Sequence, residues 1–189
     1  MKKRKNIFKV SIDSPAAAGA GTQAKLISKH FNLLHLDSGR IYRFIAYIKI
    51  TEPLKFNYKY LKNKIFYRQK NIKNILLDQS IVSGLGNIYV NEILNYSKVN
   101  PKKYGFKLLP NEIKLIVKYS KVVIKKAIIK GGSSIRNFKN SKGQKGSYQN
   151  EFRVYDRNEK ECINKYCKGI IKRIFITNRS TFFCEKCQK

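Results

Sequence analysis

No run in this 189-residue chain approaches the roughly twenty apolar residues of a membrane helix, which excludes a helical span. No internal repeat is visible, so nothing points to a solenoid or propeller. Nor does the N-terminal stretch read as a secretory leader. Met1, Lys2, Lys3, Arg4 and Lys5 supply a basic start, but Lys9 and Asp13 interrupt the apolar stretch that should follow. That predicts a reducing cytoplasm, where disulfides are uncommon. Acidic residues are scarce, 11 against 41 basic ones, giving a net charge of +30. Such a balance favours nucleic-acid partners, with non-specific affinity on the order of 10⁻⁴ to 10⁻⁶ M. It does not locate the binding face. Residues 1–50 hold 10 basic and 2 acidic side chains and the remainder 31 and 9, a nearly even density, and lysines outnumber arginines 32 to 9.

The chain has only four cysteines, and all fall in the last quarter: Cys162-x4-Cys167-x16-Cys184-x2-Cys187. Thiolates at these spacings can converge on one tetrahedral Zn(II), one ion per chain. The alternatives are two disulfides or four buried thiols, and the inferred compartment argues against the first. Alternating segments around the cysteines, Phe152 to Tyr155 and Ile170 to Ile176, predict short strands of a small hairpin. A unit that small needs the metal as part of its folding energy.

Upstream, apolar residues recur at helical spacing over 57–69 and 72–82, with Ile72, Ile75, Leu76 and Val82 on one face. Gly84-Leu85-Gly86-Asn87 breaks the pattern, which resumes from Ile88 to Tyr96. Two helices joined by a glycine turn leave free N–H groups at the start of the second, where a phosphate is well placed. A further helix is predicted from Pro110 and Asn111 to the Gly131-Gly132 stop. The Ser, Asn, Lys and Gly-rich stretch 133–149 reads as an exposed loop.

Several blocks occur in a recognisable order: Ile72 to Gln79, Ser83 to Ile93, Gly131-Gly132-Ser133-Ser134-Ile135-Arg136, Val154-Tyr155, and Arg179-Ser180-Thr181-Phe182-Phe183-Cys184 running to Gln188. From about residue 52 to 189 the chain resembles the C-terminal half of the formamidopyrimidine-DNA glycosylase and endonuclease VIII family of base-excision repair enzymes. The resemblance implies a helix-two-turn-helix element followed by a zinc finger. It implies that Asn87 contacts the phosphate at a lesion and that Arg68 and Lys73 contact the backbone nearby. Tyr155 matches a phosphate-contacting tyrosine. Arg179 matches the arginine that binds the lesion phosphate and donates a proton in the second elimination. Two departures stand out: the first cysteine pair is wider than the family's two-residue spacing, and Asn178 replaces the glycine usual before the arginine.

Residues 1–50 are similar instead to the N-terminus of bacterial cytidylate kinases, through Val10 to Thr22 and His35-Leu36-Asp37-Ser38-Gly39-Arg40. A phosphate-binding loop needs glycines, a lysine and a hydroxyl. Here Ser14 stands at the first glycine and Ala20 at the lysine, while Gly19, Gly21 and Thr22 remain. A working nucleotide kinase is therefore not expected.

The glycosylase family attacks the sugar with the amine of an N-terminal proline. This chain starts Met1-Lys2, and its first proline, Pro15, is internal. Covalent catalysis of that type is not carried over. The expected fold is α+β, mainly α: a truncated P-loop β-α segment over 1–50, a helix-two-turn-helix DNA-binding domain over 51–150, and a zinc-finger hairpin over 151–189. The expected function is binding of double-stranded DNA, at abasic or oxidised-base sites, by a zinc-binding protein of that family that lacks glycosylase activity, a cytoplasmic, nucleoid-associated bacterial monomer. The alternative is weak abasic-site cleavage through a lysine amine aided by Arg179.

Overall fold

The structure, a computed structural model, describes residues 10, 12, 20–34, 56–133 and 146–189. The chain divides into two compact units, Met1–Ile41 and Tyr42–Lys189. In the first, helix α1 (Ala20–His30) carries Lys29 and His30 in its last turn, where positive charge meets the negative end of the helix dipole. Gly21 and Thr22 lie in its first turn. The rest of the phosphate-loop match, Ser14 and Gly19 included, and the stretch from His35 to Arg40 lie outside the described residues.

The first described helix of the second unit is α2 (Tyr58–Ile65), whose start is fixed by the Asn57 side chain accepting the Tyr60 N–H at 2.9 Å. Helix α3 (Ile72–Leu77) repeats the device with Asn71 and the Asn74 N–H. Helix α4 (Asn87–Tyr96) follows the glycine turn, and α5 (Pro110–Ile129) opens with Pro110, whose missing N–H costs nothing in the first turn. The Glu112 carboxylate completes that start by accepting the Leu109 N–H and pairing with Lys103.

These helices share one core. Leu61, Ile65, Ile72, Ile75, Leu76, Ile93, Leu94 and Ile116 are among its fully buried members, each contributing roughly 1.5–3 kcal/mol relative to exposure. Leu85 and Val82 anchor the glycine turn to it. From α5 the chain runs on to the region of the cysteines, where β1 (Ile171–Ile176) pairs antiparallel with β2 (Arg179–Cys184), in register from Ile171 opposite Cys184 to Ile176 opposite Arg179. The two-residue turn, Thr177 and Asn178, has positive φ at both positions (49° and 58°), the conformation that matches strand twist in a tight hairpin. A smaller cluster of Val154, Cys162, Ile171, Phe182 and Cys184 underlies the hairpin.

A continuous series of rings links the two clusters. Tyr89 meets Tyr148 (5.9 Å between centroids), Tyr148 meets Phe152 (5.7 Å), Phe152 meets Tyr155 (5.5 Å), and Tyr155 meets Phe182 on β2 (5.1 Å).

The expected helices are present, with α2 ending at Ile65 and α3 at Leu77, short of the predicted limits. One expectation is corrected. Phe152 to Tyr155 is irregular rather than a strand, because its backbone donors bond to a side chain instead of to a neighbouring strand. The partner of β1 is the segment carrying Arg179. Among the described residues no helix is long and apolar enough to cross a membrane.

Candidate nucleic-acid interface and metal centre

Helix α4 starts at Asn87 behind Gly86, which supplies no side-chain cap and would meet nothing within 4 Å even with a Cβ. Asn87 therefore stands at the positive end of the dipole of a ten-residue helix. The turn before it is held in shape by Gln79. Its side-chain oxygen accepts the Gly84 N–H (2.7 Å), and its amide nitrogen donates to the carbonyls of Leu85 and Leu77. Gly84 has φ 87°, a conformation that suits glycine.

Opposite this helix start lies the tip of the hairpin. The Asn87 side-chain amide donates to the Ser180 carbonyl at 3.0 Å. Arg179 is exposed, one residue before that carbonyl, and its side chain faces solvent at the end of β2. Asn87 and Arg179 thus sit on one edge, joined through a single backbone oxygen.

Lys73 stands behind that edge. It is fully buried, and its ammonium donates to Thr181 Oγ1 (2.6 Å) and the carbonyls of Ser180 (3.1 Å) and Arg179 (3.4 Å). Burial first, and the positive charge of Arg179 second, lower it to about 8. The expected direct contact of Lys73 with a nucleic-acid backbone does not fit this placement: with no exposed surface, its charge acts on the strand carrying Arg179.

Arg68 is part-exposed just after α2 and lies 3.7 Å from Asp78. A pair this long on the surface holds the guanidinium weakly and leaves most of its donors free. Tyr155 is half-buried, its ring packed between Phe152 and Phe182. It is a member of the ring series as well as a candidate contact.

A polar seam not read from the sequence fastens α4 to the hairpin region. The Glu92 carboxylate, fully buried, accepts three consecutive backbone N–H groups, from Arg153 (2.9 Å), Val154 (3.1 Å) and Tyr155 (2.9 Å). Burial pushes its carboxyl up while those three donors oppose the shift. Asn91 accepts the Phe182 N–H at 2.7 Å and donates to the Asn87 carbonyl. Asn95 donates to the Gln188 side-chain oxygen, which also accepts the Cys184 N–H, while the Gln188 amide donates to Val99. The only available signal was Glu and Asn at turn-spaced positions along a helix already expected to be half-buried, a pattern that reads equally well as a solvated face.

The four cysteines do come together. Their sulfurs all lie within 4.8 Å of one another, with Cys162 and Cys187 at 3.7 Å and Cys167 and Cys184 at 3.6 Å. Tetrahedral zinc with bonds of about 2.3 Å places its sulfurs about 3.8 Å apart, so the donor set fits that ion. Burial pushes the Cys187 thiol up to about 12 and raises Cys162, while at Cys167 burial is outweighed by hydrogen bonds from Gly169 and the neighbouring sulfurs, which lower it; a bound cation favours the thiolate form of all four. Gly169 makes room for the cluster: a Cβ there would lie 2.6 Å from the Cys184 sulfur and 2.8 Å from the Lys186 Cβ.

Comparison with known proteins gives similarities to formamidopyrimidine-DNA glycosylases. The family model described as Formamidopyrimidine-DNA glycosylase H2TH domain matches residues 51–139. The formamidopyrimidine-DNA glycosylase of Rickettsia bellii (strain OSU 85-389) is 38% identical over 166 residues, 87% of this chain and 58% of that protein. That of Phenylobacterium zucineum (strain HLK1) is 41% identical over 140 residues, 73% of this chain and 49% of that protein. Among solved structures, a complex between the Lactococcus lactis Fpg and an abasic site containing DNA superposes with a TM-score of 0.67 at 35% identity, covering 82% of this chain and 57% of that one. The chain spans about half to three-fifths of the length of the relatives it matches. In sequence and in its mainly helical fold with one small antiparallel sheet, it resembles the C-terminal half of the formamidopyrimidine-DNA glycosylases.

Proposed function

We propose that the chain is a damaged-DNA-binding, zinc-binding protein of base-excision repair, gripping double-stranded DNA at abasic or oxidised-base sites. The observation that carries this reading is the shared edge of Asn87, at the start of α4, and Arg179, at the hairpin tip, joined through the Ser180 carbonyl. The positive end of the helix, an amide and a guanidinium together suit a phosphate. Arg68 and Tyr155 extend the contact to neighbouring phosphates. Lys73 serves the same surface indirectly, by holding the carbonyls of Arg179 and Ser180. Residues 51–150 would form the helix-two-turn-helix DNA-binding domain and 151–189 the zinc finger. One monomer would engage one site in the bacterial nucleoid.

Cys162, Cys167, Cys184 and Cys187 would hold Zn(II), which supplies a structural cross-link to the hairpin. The family's glycosylase and lyase chemistry uses a proline amine that the matched half does not contribute, so binding without cleavage is the activity proposed for this chain. Arg179, the matching proton donor for the second elimination, then acts as a phosphate ligand. Cleavage through a lysine gains no support from Lys73. Its amine has a lowered pKa but is buried against three acceptors.

The test is binding of the zinc-loaded chain to abasic, 8-oxoguanine and undamaged duplexes, with borohydride trapping on the first. Tighter binding to the abasic duplex, lost in an Asn87→Ala, Arg179→Ala double variant, is expected. Equal affinity of that variant would remove the basis of the reading, and a trapped adduct would replace it with a lyase.

A further inference from the structure

The six-residue segment from Cys162 to Cys167 contains two more residues between its cysteines than the family's usual spacing, and those residues have a defined place. Asn164 and Cys167 close a turn, the Cys167 N–H donating to the Asn164 carbonyl at 2.9 Å, with Tyr166 at φ 64° inside it. The turn aims the Asn164 side chain back across the cluster, where its amide nitrogen lies 3.0 Å from the Cys187 sulfur. Its side-chain oxygen is held in turn by the Arg153 guanidinium. Arg153 is itself fixed: its Nε donates to Asn95 at 3.1 Å, and its guanidinium carbon sits 4.4 Å from the centroid of Tyr96. The path runs from α4, through Asn95 and Arg153, to Asn164 and the sulfur of Cys187.

Resting on the reading that the four cysteines hold zinc, we infer that Asn164, oriented by Arg153, is a hydrogen-bond donor to the metal-bound Cys187 thiolate, tuning the centre and tying it to α4. Four thiolates around Zn(II) carry a net charge of about −2. An N–H directed at one sulfur withdraws electron density from it, and a guanidinium on the far side of the amide polarises that N–H further. The amide orientation is consistent on both sides. Arg153 can only donate, so it selects the Asn164 oxygen and leaves the nitrogen for the sulfur. Asn95 joins the two ends of the cluster, reaching Cys187 through Arg153 and Asn164 and the Cys184 backbone through Gln188.

The experiment uses the full chain loaded with one equivalent of Zn(II) or Co(II). Asn164→Asp keeps the size and the acceptor for Arg153 but removes the N–H; Arg153→Gln removes the guanidinium and leaves the N–H. Asn158→Ala, whose amide bonds only to the exposed neighbour Glu159, is the control. Zinc affinity is read by competition with a chromophoric chelator, and the sulfur-to-cobalt charge-transfer band by absorbance. Asn164→Asp is expected to weaken zinc binding on the order of tenfold and to move the band to longer wavelength. Arg153→Gln should produce smaller changes of the same sign, and the control none. An Asn164→Asp protein with wild-type affinity and an unmoved band would overturn the inference while leaving the metal site standing. A wild-type chain showing no cobalt–thiolate band would overturn the metal reading and this inference with it.

Discussion

Asn87 and Lys73 donate to the same atom, the carbonyl oxygen of Ser180, at 3.0 and 3.1 Å. One residue belongs to the exposed edge and the other to the interior, so the strand carrying Arg179 is gripped from both sides. An exposed guanidinium is useful to a phosphate only if its backbone is fixed, and this shared acceptor fixes it.

Replacing Lys73 by Met should destabilise the fold by about 1–3 kcal/mol, because the Ser180 and Arg179 carbonyls and Thr181 lose their buried partner. The loss should depend on pH. The ammonium has a folded value of about 8 against 10.5 ordinarily. Between those values the unfolded chain binds more protons, so the wild type gains stability as pH rises through that window. The wild-type advantage over Lys73→Met should therefore be larger near pH 10 than near pH 7, a comparison that urea denaturation of both proteins makes directly.

Glu92→Gln replaces one of the two carboxylate acceptors by an amide donor, and with the remaining oxygen kept for Val154 and Tyr155 that donor faces the N–H of Arg153. A destabilisation of about 1–3 kcal/mol is expected. Hydrogen exchange should quicken at the amides of Arg153, Val154 and Tyr155 before it does in α5. Uniform quickening across the domain would show that Glu92 has no local role.

Thr177 is a β-branched residue at φ 49°, a conformation that such side chains adopt at a cost of roughly 1–2 kcal/mol. The Asn74 side chain bonds its hydroxyl at 2.8 Å, a surface contact that offsets only part of this. Thr177→Asn should raise stability by about 0.5–1 kcal/mol, read as an increase in Tm. No increase would mean that the Asn74 bond outweighs the strain.

Removal of metal with a chelator should melt the hairpin while α2 to α5 persist, because the hairpin cluster depends on two cysteines and the helical core on none. Far-UV circular dichroism should keep its helical signal as the ring environment of Phe182 and Tyr155 changes in the near-UV. Gly169→Ala, which drives a methyl to within 2.6 Å of the Cys184 sulfur, should lower zinc affinity without altering the helices.

The helical half was largely legible because its elements follow simple spacing. Ile72, Ile75 and Leu76 mark a buried face, and Gly84 marks the break. The cysteine cluster was legible from spacing for the same reason: few residue types bind soft cations. What sequence could not show is where polar side chains point. A lysine on an amphipathic helix reads as solvent-facing, yet Lys73 finds three oxygens more than a hundred residues away. Glu92, Asn91, Asn95 and Gln188 likewise act through long-range partners, and no local pattern specifies those. Phe152 to Tyr155 misled for a related reason. Alternation there comes from a loop packed between two clusters, with a glutamate taking the place of a neighbouring strand.

The ring series from Tyr89 to Phe182 has an optical consequence. The chain contains no tryptophan, so its emission is that of tyrosine alone, and Tyr89, Tyr148 and Tyr155 stand in one line of aromatic contacts from α4 to the hairpin. A tryptophan introduced at Phe152, in the middle of that line, would collect excitation from tyrosines on both sides. Its intensity would then serve as a ruler for any movement of the hairpin against the helices, in a protein otherwise dark at that wavelength.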